Sequence, residues 1–100
     1  MKAETLKMIH IRNMLLVSLN IMFPSPLPMK TLLRSIIPFN RHYDYLTLEK
    51  DMTYLEKKGY IEYINKLIGG ADSFEEKVAM ITVKGKEIVE GTEIDKALES

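Results

Sequence analysis

Thr47, Lys50, Thr53 and Lys57 follow one another at three- and four-residue intervals, the spacing that gathers side chains on one side of an α-helix. Their hydroxyl and ammonium groups can donate hydrogen bonds to phosphate oxygens and to the edges of bases. Thr47 and Lys50 stand where they would reach base edges, and Thr53 where it would reach an edge or a phosphate. Just upstream, Arg41, His42 and Tyr43 offer three side chains that would contact a phosphate backbone beside a groove. The same stretch also contains Leu46 and Glu49. A leucine left in solvent beside Tyr43 and Tyr54 is the start of a protein-docking patch, and a glutamate repels phosphate. Nucleic-acid contact and protein docking therefore both stay open for this face.

Other chemistry finds little to build on. The two histidines, His10 and His42, lie on separate segments, and the chain has no paired-histidine metal motif, glycine-rich phosphate loop or nucleophile motif. Glu75 and Glu76 have no matched acid–base partner. The seven methionines are spread over core positions, where thioethers fill irregular space. The expectation is a protein that is not an enzyme and that uses no metal or cofactor.

The elements that would carry the candidate face can be read from periodicity. Leu48, Met52 and Leu55 form an apolar stripe on a helix over 44–58, with Asp44 as its N-cap accepting a bond near Thr47 and Tyr45 extending the stripe. Lys57 and Lys58 suit the negative end of the helix dipole, and Gly59 suits the left-handed position that ends it. Residues 60–64 and 78–83 are rich in β-branched and aromatic types and predict a hairpin over 60–83, its loop turning at Gly69-Gly70. A first helix occupies 1–22, with apolar positions at Leu6, Ile9, Met14, Val17 and Ile21 widened by Ile11, Leu15, Leu16 and Leu19. The proline cluster at 24–28 stops it. A second helix follows Pro28 over 28–37, with Leu32, Leu33, Ile36 and Ile37 turned to the core. A last helix covers 84–98, and Gly91 is a point where it could break.

Two segments carry a resemblance to a known family. Asp51-Met52-Thr53-Tyr54-Leu55-Glu56-Lys57-Lys58-Gly59-Tyr60-Ile61 resembles the end of the recognition helix and the first wing strand of bacterial winged helix-turn-helix regulators. Ile81-Thr82-Val83-Lys84-Gly85-Lys86-Glu87-Ile88 is similar to the segment that closes the wing in those proteins and opens their last helix. With the two leading helices the likeness covers nearly all of 1–100, and it is nearest to small winged-helix proteins of Mu-like phages and prophages. It implies an α+β fold with a three-helix core, a hairpin wing, a short first strand at Leu27 against that wing, and an additional C-terminal helix. It also implies sequence-specific binding of double-stranded DNA by the third helix, as in a small transcriptional regulator. The connector 38–44 is longer than a tight helix-turn-helix turn. The alternative that the resemblance allows is a winged helix used as a protein-interaction adaptor.

A chain of 100 residues fits one domain. With no cysteine there is no disulfide framework or thiolate site, which permits the cytoplasmic setting expected for a DNA-binding protein. The most apolar run, 14–23, is interrupted by Ser18 and Asn20 and is about half as long as the ~20 residues of a membrane-spanning helix. Cations and anions balance at fourteen each, but unevenly: every acid except Glu4 lies at Asp44 or beyond. The basic first part is where a polyanion would dock. The loop acids Asp72, Glu75 and Glu76 outnumber Lys66 and Lys77, so the hairpin tip is a poor phosphate ligand. The apolar excess on 14–22 exceeds what one small core absorbs. It predicts a homodimer through the first helix, aided by Ile88, Val89, Ile94, Ala97 and Leu98.

Overall fold

A computed structural model of the chain describes residues 3–64 and 74–91. The expected hairpin tip, with Gly69-Gly70, Lys66 and Asp72, lies outside the described residues, as does the last helix beyond Gly91 with Ile94, Ala97 and Leu98.

The first helix, α1, spans Ala3–Met22. Its buried side is made by Ile9, Ile11, Leu15, Leu16 and Leu19. Two residues of the expected stripe point the other way, for Val17 is 43% exposed and Ile21 is 74% exposed. The helix is apolar nearly all round in its second half, so periodicity alone could not choose which side faces the core. After the prolines, β1 (Leu27–Pro28) pairs antiparallel with a later strand, Leu27 opposite Ala79 and Pro28 opposite Val78. A proline is tolerated there because the strand lies at the sheet edge. The next helix, α2 (Met29–Ile36), buries Met29, Leu32 and Ile36, while Leu33 is half-buried. Ile37 is its C-cap and is exposed, which corrects the core role expected for it.

The third helix, α3, spans Tyr45–Lys57 and begins at Asp44, whose Oδ1 accepts from the Thr47 amide at 2.9 Å. Leu48, Met52 and Leu55 are fully buried, with Asp51 beside them on the same side. Gly59, with φ of +80°, ends the helix in the left-handed conformation that only glycine adopts without cost. The chain then enters β2 (Ile61–Tyr63), which pairs antiparallel with β3 (Val78–Ile81) in the register Ile61–Ile81. The sheet order is β1-β3-β2. A 3-10 turn at Phe74–Glu76 precedes β3, and its Phe74 ring meets Tyr45 and Tyr63 edge-on at 6.4 and 6.5 Å. The described residues therefore form an α+β fold of four helices and a small antiparallel sheet.

The fourth helix, α4, spans Val83–Val89 and packs against α1. Thr82 caps it, accepting from the Gly85 amide at 3.1 Å and donating to the Gly59 carbonyl at 2.5 Å. Gly85 sits directly on the start of β2. A Cβ there would run into the Tyr60 carbonyl oxygen and stand 2.7 Å from Ile81 Cγ1. Lys86 reaches from α4 to Asn20 on α1, Nζ to Oδ1 at 2.9 Å.

Candidate nucleic-acid interface

The outward side of α3 is set by what its inward side binds. Asp51 falls three residues after Leu48 and four before Leu55, so helix geometry turns it inward with them. It is 3% exposed, and a carboxylate that deep needs partners. Arg12 on α1 supplies one, Nε to Oδ1 at 3.1 Å. The Tyr43 hydroxyl supplies the other, donating to Oδ2 at 2.6 Å. The Arg12 guanidinium also lies over the Tyr54 ring, 3.9 Å from its centre. Burial, and then the bond to Asp51, push the Tyr43 phenol well above its ordinary range, so it stays a donor.

This network revises part of the sequence reading. Tyr43 is 4% exposed and cannot touch a phosphate backbone; it is a core residue. Its entry into the core accounts for the long connector. Three backbone bonds, from Phe39 and Asn40 to the Ile36 carbonyl and from Tyr43 to that of Asn40, wind the chain back to bring the ring inward. Arg12 belongs by sequence to the basic first part, yet its charge is spent in the interior. Tyr54 is half-buried beneath the cations of Arg12 and Lys58, so of the three residues of the alternative docking patch only Leu46 stands well out, at 63% exposed.

Of the remaining candidates, Arg41, His42, Thr47, Lys50 and Lys57 are exposed and Thr53 is half-buried. The row farthest from the core is Leu46, Lys50, Thr53 and Lys57. Thr47 lies at the edge of that row, on the side toward α1, and its hydroxyl already donates to Asp44 Oδ1 at 2.8 Å. These two bonds from Thr47 hold the Asp44 carboxyl below its usual range. Glu49 and Glu56 are exposed as well. The outward surface of α3 thus combines cations, a hydroxyl, one leucine and carboxylates.

A cavity of about 290 Å³ opens beside this surface, between α1, the connector and the first turns of α3. Met8, Ile11 and Tyr43 form its apolar wall, and Lys7 and Lys50 stand at its rim. The sequence reading did not find the network or the cavity. One signal was present: an aspartate at the i+3 position of an apolar stripe is either misplaced or paired.

No family model matches the chain, and no curated protein or solved structure matches it either. Among the described residues no helix is long and apolar enough to cross a membrane.

Proposed function

We propose that this chain is a winged helix-turn-helix domain that binds double-stranded DNA through the outward surface of α3, acting as a small transcriptional regulator or phage-type DNA-binding protein. The observation that carries the reading is α3 itself. It is rigidly seated on its inner side and presents Lys50, Thr53 and Lys57 in one outward row, with Arg41 and His42 exposed just before its first turn. The order α1-β1-α2-α3-β2-β3, with β1 at the edge beside β3, is also the order of a winged helix. In this reading Lys50 and Thr53 reach base edges and Arg41, His42 and Lys57 hold phosphates. The protein is cytoplasmic and not an enzyme.

Two copies would act together, because one recognition helix reads few base pairs and a two-fold pair multiplies selectivity. Val17, Ile21 and Met22 on the outer side of α1, all exposed, supply the apolar surface for that pairing. Protein docking by the same face is the second reading, supported by exposed Leu46 and by Glu49 beside Lys50.

Fluorescence anisotropy with duplex DNA at low and high salt tests the proposal. Binding should weaken steeply with salt, and Arg41→Ala should weaken it on all sequences and reduce the slope by about one. Lys50→Ala should cost about 1–3 kcal/mol on a preferred site and less elsewhere. No binding at low salt would reject DNA as the partner and favour the adaptor.

A further inference from the structure

We infer that the cavity between α1 and α3 is a binding site for a small organic carboxylate with an apolar body. Its wall and its rim have different chemistry. Met8, Ile11 and the Tyr43 ring make a wall suited to a hydrocarbon or aromatic group. Among the described residues, the charged groups lining the space are the cations Lys7, Arg12 and Lys50 and the carboxylate of Asp51. That carboxylate is already engaged on both oxygens, by Arg12 Nε and the Tyr43 hydroxyl. Neither Lys7 nor Lys50 forms a salt bridge among the described residues, and Lys50 acts on the exposed Asp44 carboxylate only through space.

The available donors agree with an anion. The Tyr43 and Thr47 hydroxyls already donate their hydrogen bonds to Asp51 and Asp44. Asn40 accepts the His42 amide through Oδ1, which leaves its NH2 group to donate. Two lysine ammonium groups and that amide, all lining the same space, suit one carboxylate while an apolar body lies against the wall. A volume of about 290 Å³ is at the small end of ligand sites, which sets a single ring or a short branched chain as the occupant. An uncharged compound of the same shape would leave the cations unanswered, so charge should decide binding.

Lys50 belongs to this rim and also to the outward row of α3, so an occupant would draw it away from DNA. That consequence rests on the DNA reading; the site itself does not.

The test uses the full chain and three probes, phenylacetate, benzoate and 4-methylvalerate, with phenylacetamide as the uncharged isostere of the first. Amide NMR titration should show saturable shifts at Met8, Ile11 and Tyr43 for at least one carboxylate, with a Kd below about 1 mM. Phenylacetamide, or the carboxylate added to Lys7→Ala or Lys50→Ala, should bind at least about tenfold more weakly, while Lys30→Ala, on exposed α2 surface, should bind as the parent does. Absence of shifts with all three carboxylates, or equal binding of acid and amide, overturns the site. A second measurement follows DNA anisotropy with and without the bound carboxylate. Weakened DNA binding that Lys7→Ala abolishes supports the coupling, and unchanged DNA binding at ligand saturation overturns it. If DNA does not bind at all, the titration still decides the site.

Discussion

The two ends of α3 are fastened by different means. Its first half is held by side chains: Asp44 takes two bonds from Thr47, and Asp51 takes one each from Arg12 and Tyr43. Its far end is held largely through backbone atoms: the Tyr60 carbonyl accepts the Thr82 amide at 3.0 Å, Gly85 lets α4 lie on that carbonyl, and the Thr82 hydroxyl joins them, donating to the Gly59 carbonyl. Side-chain fastening can be exchanged for other chemistry of the same shape. Backbone contact cannot, because the only atom that can be removed is already missing.

The far end should therefore break most sharply. Gly85→Ala pushes a methyl group into the Tyr60 carbonyl just before β2, and a loss on the order of 5 kcal/mol, or of the folded state, is expected in a urea melt. Gly91→Ala is the contrast: its φ is +83° but the space around it is open, so the cost should be about 1–2 kcal/mol. Similar losses for the two would mean that contact with Tyr60 does not matter.

At the near end, Asp51→Ala should cost about 3–5 kcal/mol, because it strands Arg12 and the Tyr43 hydroxyl in the interior. Replacing all three together, by Arg12→Met, Tyr43→Phe and Asp51→Leu, should restore stability to within about 1 kcal/mol of the parent or exceed it. If the triple variant is as damaged as the single one, the network contributes more than its own satisfaction.

A smaller effect sharpens the same point through pH. Burial and the bond to Asp51 raise the Tyr43 phenol in the folded state. Its contribution is therefore complete below the free phenol value of about 10 and declines as pH rises above it. The stability gap between the parent and Tyr43→Phe should narrow past that pH. A constant gap would mean that the hydroxyl is not buried.

The smallest expected change is at the cap. Asp44 is lowered in the folded state by the Thr47 bonds, so its contribution is present above the ordinary carboxylate range and lost as pH falls through the lowered value. Asp44→Asn keeps an acceptor and should remove that acid dependence while changing stability little at neutral pH. An unchanged acid limb in equilibrium melts would assign the dependence to other carboxylates.

How far the sequence could be read follows the same division between local and distant causes. The Asp44 cap, the Leu48-Met52-Leu55 stripe and the Gly59 stop all rest on interactions within a few residues or on a clear period, and each could be read in advance. The short strand at Leu27 pairs with distant Ala79 and was legible only through the family resemblance. Tyr43 and Asp51 could not, since Asp51 is explained by Arg12, 39 positions away. Val17 and Ile21 were assigned to the wrong side of α1 because an all-round apolar helix has no preferred side until its neighbours are known. For the candidate interface, residue types were legible while accessibility was not: Arg41, Lys50 and Lys57 are outside, Thr53 is half in, and Tyr43 is inside.

Asp51 grips α1 with one oxygen and the connector with the other, which fixes the angle through which α3 is rolled about its own axis. Leu46, Lys50 and Lys57 take no part in that grip. The outward row can therefore be rewritten, one side chain at a time, without disturbing how the helix is presented. If that row is the recognition surface proposed above, a library built on those positions would vary recognition over a constant scaffold, and any change of partner could be credited to the letters exchanged.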